Sequence, residues 1–394
     1  MPFPPRDGGC LGIHNFSMGL LEAGHELKIM AINTPKHFTK INSLPTEYLQ
    51  KTNIEAIFVD TDVKTIPAFL NLFSSKSYNV TRFYSKELEE KLSEVLQKNT
   101  FDIIQLESIF MCPYLETIRK NSKAKIILRA HNVEHIIWER LAENEKNSFK
   151  KIYLQLLSKR LKKYEMEQFN RVDGITTVTL DDLEIIKKSG CKKSIQHIPF
   201  AIDIEHLKPK PEVAEPFSLF HLGAMDWMPN QEGIRWFIDH VWGKLHEKNP
   251  TLKFYIAGRN MPDWLLKLAK KNIFVAGEIE DSISFIQSKS VMIVPLFSGG
   301  GIRVKIIEGL ALGKAIIATS IAAEGISYEN KKNIFIANLP KEFIECIEKI
   351  IFDADLLKNT GENARKLAEE MYDIKKIIFR LTQFYSEILN PTTT

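Results

Sequence analysis

The 394-residue chain is 44% hydrophobic and 26% charged, an ordinary soluble globular composition long enough for two domains. Its 53 Lys+Arg against 49 Asp+Glu leave a net charge of +4, which argues against nucleic acid as a partner. Cys10, Cys112, Cys191 and Cys346 show no CxxC or His-spaced pattern, so they read as free thiols, with neither a disulfide frame nor a metal site expected. No apolar run approaches the roughly 18 residues that span a bilayer, and no signal peptide is visible, so a cytoplasmic protein is expected.

The start, MPFPPRDGG, is a Pro-rich turn ending in Gly8 and Gly9. A helix is expected from about Cys10 to Ala23, stopped by Gly24, and then a strand over Glu26–Ile32. A loop–helix–strand unit of this kind normally follows a first strand, so roughly six to eight apolar residues are expected before Met1, unless another segment fills that slot. Strands then alternate with helices. IEAIFVD (54–60), FDIIQLE (101–107), AKIILRAH (124–131) and VDGITTVT (172–179) read as strands. YSKELEEKLSEVLQKN (84–99), a long polar stretch from about 138 to 170, and LDDLEIIKKSG (180–190) read as helices. The lysine-rich run KNSFKKIYLQLLSKRLKK (146–163) reads first as a solvated helix face, with peripheral contact to a membrane as the alternative.

Four prolines and mixed charge mark SIQHIPFAIDIEHLKPKPEVAEP (194–216) as a linker. The alternation restarts beyond it, with strands FSLFHLG (217–223), LKFYIAG (252–258), NIFVAGE (272–278), VMIVPL (291–296), KAIIATS (314–320) and NIFIAN (333–338), and an amphipathic helix over 233–250. The tail is helical. Regular βα alternation predicts parallel sheets with helices on both faces, in two domains facing each other across a cleft.

Two places carry chemistry. VMIVPLFSGGGIRVKIIEGLALG (291–313) is a strand, a glycine loop with Gly300 and Gly301, and a helix start. That arrangement suits an anion, because glycines let backbone N–H groups approach and a helix N-terminus is partially positive. Arg303 and Lys305 oppose the helix dipole there, an oddity that a bound diphosphate would reverse. Glu308 follows on the Lys305 side of the helix, where a carboxylate can accept from sugar hydroxyls. The bland alternative is a glycine turn with a solvated Lys305–Glu308 pair. In the first half, His131 ends a strand in RAHNVEH, where ligand-facing residues of parallel sheets occur.

Taken together and in order, these segments resemble a glycosyltransferase of the GT-B fold, in the retaining family 4 group. PFPPRDGG with LLEAGHELKIMA is similar to the family's glycine loop and first helix. RAHNVEH resembles its histidine loop, HIPFAID its interdomain linker and GGGIRVKIIEGLALGKAIIATS its donor motif. LGAMDWMPNQEGIRWF resembles a subgroup associated with surface-polysaccharide sugar transfer. The resemblance implies two Rossmann-like doubly wound parallel-sheet domains: an acceptor-side domain over 1–196, completed by a C-terminal helix returning over 372–394, and a donor domain over 197–371.

It further implies that Gly8 and Gly9 lie near the donor diphosphate, that His131 is catalytic beside the transferred sugar, and that Glu308 holds the ribose. Two positions depart from the pattern: Gly300 stands where the family has a first glutamate, and Ala224 with Pro229/Asn230 where it has Arg and Lys. Arg303 and Lys305 are expected to neutralise the diphosphate instead. Asp226, Trp227 and Glu324 are further cleft candidates.

The implied activity is metal-independent transfer of a hexosyl group from a nucleotide-diphosphate sugar to a cell-surface glycan or lipid-linked acceptor, with no cofactor and at the inner face of the cell membrane. Rival readings are a catalytically silent nucleotide-sugar-binding partner of a polysaccharide assembly complex and a GT-B nucleotide-sugar epimerase. An NAD enzyme is disfavoured, because neither half has GxGxxG after a strand with an acidic residue about 20 positions on.

Overall fold

The computed structural model describes residues 1–391 apart from 72, 75 and 269. The chain forms two compact units, Met1–Ala201 with Lys375–Thr394, and Ile202–Ile374. Both are parallel α/β.

The first unit has a two-stranded sheet of β1 (Met30–Asn33) and β2 (Glu55–Phe58), and a four-stranded sheet in the order β3-β4-β5-β6. These strands are β3 (Ile103–Glu107), β4 (Lys125–Ala130), β5 (Gly174–Thr177) and β6 (Ser194–His197). Ile126, Ile127 and Leu128 are buried on successive residues, so both faces of β4 are covered, as crossover helices in a parallel sheet require. One face packs Ile126, Leu128 and Ile175 against Leu115, Ile118, Phe169 and Ile186. Local chemistry sets the helix starts: the Ser85 hydroxyl accepts from Leu88 N ahead of Lys86–Lys98, and Thr179 accepts from Asp182 N ahead of Leu180–Lys188.

Three sequence expectations need correction. The strand expected from Glu26 begins only at Met30. The single helix expected over 138–170 is two, Glu134–Asn144 and Ser148–Phe169, packed on one another. The break has no Gly or Pro; Asn147 makes it by accepting from Lys150 N at 3.1 Å, while the Glu145 carboxylate accepts from Asn147 N at 3.0 Å. Ser194–His197, assigned to the linker, is the edge strand β6 beside β5.

The second unit is one six-stranded parallel sheet in the order β12-β11-β10-β7-β8-β9. Its strands are β7 (Glu215–Leu222), β8 (Lys253–Ala257), β9 (Ile273–Gly277), β10 (Lys289–Val294), β11 (Ala315–Ala318) and β12 (Phe335–Ile336). Leu219, Phe254, Ile256, Val291, Ile293 and Ile317 build the core with Phe237, Trp242 and Phe343 from the helices. The helix Met228–Phe237 continues through a π turn at Ile238–Trp242 into Gly243–Lys248. Chain order reverses between β7 and β10, which makes their carboxyl ends the topological switch point of this sheet.

The strand ends beside that point meet through two glycines. Gly258 has φ +146°, and a Cβ on it would lie 1.8 Å from the carbonyl oxygen of Gly223. Gly258→Ala must therefore strain the backbone and also push two turns apart, at a cost of about 3 kcal/mol or more. For a unit of this size the melting temperature should fall by roughly 6–12 °C. A variant that melts within about 1 °C of the parent would show that the turns separate freely.

Candidate active site

The switch point of the second unit holds a buried polar cluster. His221 on β7 is fully buried, and its Nδ1 lies 2.9 Å from the Ile293 carbonyl oxygen on β10. A carbonyl can only accept, so Nδ1 carries the proton and Nε2 turns a lone pair outward. Burial, then the charge of Lys305, holds this imidazole well below its ordinary pKa. Lys305 Nζ lies 3.4 Å from that Nε2 and donates to Asn230 Oδ1 at 2.8 Å. Asn230 is itself buried and donates from Nδ2 to the Ala224 carbonyl at 2.7 Å. A Cβ on Gly223 would fall 2.5 Å from Lys305 Nζ, so only glycine leaves room for the ammonium at the end of β7.

The glycine loop follows β10. The helix begins at Val304, one residue later than a first-turn Arg303 requires; Arg303 is the extended residue before it. Its guanidinium turns back to donate to the carbonyls of Gly300 and Gly301 and lies 5.1 Å from the Trp227 ring centre. Gly299, at φ +103°, places its backbone against the same ring; a Cβ there would come within 2.6 Å of it. Arg303 and Trp227 thus fix the loop's shape, and Lys305 is the cation at its base.

Lys305 and Glu308 are half-buried on one side of the helix Val304–Ala311, while Ile306, Ile307 and Leu310 pack inward, as the helical period requires. Burial, and after it the Arg303 charge, pulls the Lys305 ammonium down to about 7. Burial pushes the Glu308 carboxyl up to about 7, opposed by Lys305. Asp226 is exposed beside Trp227, and Glu324 is half-buried in the turn after β11.

In the first unit, parallel register assembles a second cluster. Glu107 ends β3 directly beside Arg129 of β4, and His131 lies two residues beyond Arg129, on the same face. The Glu107 carboxylate accepts from Arg129 Nη1 at 3.2 Å and lies 2.6 Å from His131 Nε2. Gln105 donates to Glu107 at 2.5 Å and in turn accepts from the Tyr385 hydroxyl of the helix Ile374–Leu389. Arg129, 2% exposed, stacks on Phe16 at 3.6 Å. Burial alone would raise the Glu107 carboxyl, but the Arg129 charge and the His131 bond outweigh it and hold Glu107 at about 2. With an ionised Glu107 on Nε2, that nitrogen carries a proton.

The loop bearing His131 is anchored from behind. Glu165, fully buried, accepts from the backbone N–H groups of Glu134 and His135 at 2.9 Å each and lies 2.6 Å from His135 Nδ1. Gly8 and Gly9 form the first turn of the helix Gly8–Glu22, whose cap is the Asp7 carboxylate, accepting from Cys10 N at 2.9 Å. Donor atoms of Asp7, Cys10 and His37 lie within 4.8 Å of one another, a set that could hold a metal ion. Asp7 already pairs with His37 at 3.0 Å and lies 3.7 Å from Lys36. Sequence reasoning named His131, Arg303, Lys305 and Glu308 but missed His221, Glu107 and Glu165, and noted Asn230 only as a departure.

Residues 216–353 match the family described as glycosyl transferases group 1. Over 95% of both chains the protein is 23% identical to an uncharacterized 44.6 kDa protein in the cps region of Klebsiella pneumoniae. Sucrose-phosphate synthase from Thermosynechococcus elongatus superimposes with a TM-score of 0.70 over 97% of this chain and 94% of its own, at 12% identity. Anabaena HepE in complex with UDP and glucose gives 0.64 over 97% and 96%, also at 12% identity.

The fold is GT-B. The family match lies within the second unit and contains the whole Lys305 cluster, and with the GT-B fold it supports a glycosyltransferase.

Glu107 supplies a test of the first cluster. A carboxyl lowered from 4.5 to about 2 adds stability that is complete above about pH 5 and lost as pH falls toward 2. The shift corresponds to about 3 kcal/mol. Glu107→Gln should lower stability by about that amount at pH 7, and urea unfolding should show the gap between variant and parent reduced to about half by pH 3 and closing only toward pH 2. A gap independent of pH would show that Glu107 is not held as an ion.

Proposed function

We propose that the protein transfers a sugar from a nucleotide-diphosphate sugar to a cell-surface glycan or lipid-linked acceptor, with retention at the anomeric carbon and without a metal. The carrying observation is Lys305: a half-buried lysine at the switch point of the family-matched unit whose ammonium, among the described residues, bonds only to neutral acceptors beside a glycine loop. A diphosphate is the partner that such a cation lacks. In transfer, the bond from the anomeric carbon to the diphosphate breaks and one to the acceptor oxygen forms. The acceptor proton leaves with the departing diphosphate. Lys305, the loop N–H groups and the helix end stabilise the negative charge that develops on it.

Glu308 is read as the ribose acceptor, Arg303 as the residue that holds the loop ready, and His131 as the group beside the transferred sugar, its tautomer set by Glu107. Gly8, Gly9, Gly300 and Gly301 are read as backbone contacts. The relative in a cps region and the UDP-bound HepE structures lend support to a polysaccharide role and a nucleotide-sugar donor.

UDP, GDP and ADP titrations followed by thermal shift should single out one base. For that nucleotide, Arg303→Ala and Lys305→Ala should each weaken binding about 10- to 100-fold, the size of a charge-assisted hydrogen bond; unchanged affinity in both would remove the stretch from the donor site. Acceptor-dependent release of the nucleoside diphosphate then separates transfer from silent binding or epimerisation.

The two groups near 7 also predict a pH profile. Above about pH 7, binding must return a proton to Lys305, so affinity falls up to tenfold per pH unit. Ionisation of Glu308 acts in the opposite direction. Calorimetry should show the falling limb abolished in Lys305→Met and the rising limb abolished in Glu308→Gln. A parent profile that Lys305→Met leaves unaltered would contradict the assignment.

A further inference from the structure

On the helix Thr65–Asn71 in the first unit, Ile66 and Leu70 are turned outward. Ile66 is 73% exposed, Leu70 is exposed, and Phe73, just past the helix end, is 82% exposed. The spacing 66, 70, 73 places all three on one face, the stripe that a soluble domain normally turns to its core. A second apolar pair lies on the first turn of Ser148–Phe169, where Phe149 is 87% exposed and Ile152 is exposed as well.

The two sets are neighbours. Arg160 donates to the Asn71 carbonyl at 2.8 Å and to Asn71 Oδ1 at 3.2 Å, tying the long helix to the end of Thr65–Asn71. Phe149 precedes Arg160 by about three helical turns and so stands on the same side of the helix. Between them the short helix Tyr78–Thr81 packs on Ser148–Phe169, and the Tyr78 hydroxyl accepts from Lys64 N at 3.1 Å.

The charge around these side chains has one sign. No Asp or Glu occurs from 63 to 86 or from 146 to 164, although acids nearly equal bases in the whole chain. The first segment carries Lys64, Lys76, Arg82 and Lys86, and the second Lys146, Lys150, Lys151, Lys159, Arg160, Lys162 and Lys163. Lys64, Lys86, Lys150 and Lys162 reach acids outside the segments, Asp60, Glu90, Glu145 and Glu139. Among the described residues, Lys76, Lys146, Lys151 and Lys159 make no ion pair.

We propose that this face docks on an anionic lipid bilayer. Ile66, Leu70, Phe73, Phe149 and Ile152 enter the interface below the headgroups, and the acid-free rim of lysines meets the lipid phosphates. A protein partner would have to present negative charge of equal uniformity over two separate segments. An anionic membrane does so everywhere. The inference goes beyond the transfer reaction, and vesicle binding is read with neither donor nor acceptor present.

The full-length protein should sediment with vesicles of phosphatidylcholine mixed with phosphatidylglycerol, not with phosphatidylcholine alone, and should dissociate as salt rises. The double variants Ile66→Ser/Phe73→Ser and Phe149→Ser/Ile152→Ser should each lower vesicle partition at least about tenfold, and Lys146→Glu/Lys151→Glu comparably. Melting temperature and nucleoside-diphosphate binding should stay at the parent values, because these side chains are exposed and outside the proposed donor cluster. Equal sedimentation with both vesicle types, sedimentation with neither, or full binding by the serine variants overturns the proposal. If vesicles are not bound and gel filtration shows a dimer that the serine variants lose, the face belongs to a second copy of the chain.

Discussion

A largely desolvated ammonium that, among the described residues, bonds only to neutral groups is the constraint on which the second unit turns. Moving such a charge out of water costs several kcal/mol, and Asn230 and His221 return only part of that through hydrogen bonds. The surroundings are nonetheless built to hold it. Gly223 leaves it space, β10 supplies the carbonyl that fixes the tautomer of His221 on β7, and Asn230 ties it to the loop after β7. Because burial brings Lys305 down and Glu308 up to about 7, the cluster lies between charge states, and an anion placed against it would shift both.

The first unit solves the opposite problem. Its central ion is a carboxylate, and Glu107 has Arg129 and His131 on the two sides that strand register offers. Held at about 2, the Glu107 carboxyl stays ionised across the whole physiological range. Behind it, Glu165 satisfies two N–H groups at the start of a helix and a buried histidine, so the loop leaving β4 has few alternative courses. One unit thus holds a poised site and the other a fixed one.

How much of this was legible in the sequence follows from the range of the interactions. Buried parallel strands are apolar on both faces, so β2 to β5 and β7 to β12 stand out as runs, and the glycines after Glu22 and Lys188 mark helix ends. The break at 145–147 was not legible, since a polar Asn cap inside a polar stretch changes neither composition nor period. β6 was hidden because the prolines that announce the linker begin at Pro199, directly behind it. At the site, Arg303 and Lys305 were visible because they offend a local rule, cations at a helix start. Glu107 offends none. Its partnership with His131 exists only through the register of β3 against β4, which no single segment contains. Asn230 could be seen as a missing lysine, but that it replaces a charge by steering one needed coordinates.

The last helix gives the chain an order of assembly. Gly174 on β5 has no side chain where the Phe384 and Ile388 side chains press on it, Arg380 donates to the His197 carbonyl of β6, and Tyr385 reaches Gln105. A ribosome therefore releases all of Ile202–Ile374 before the first unit receives its final layer. The usual sequence, in which the N-terminal domain finishes first, is reversed here. The intervening unit can fold on its own stretch of chain, while the half-built sheet ahead of it waits for the final residues to be made.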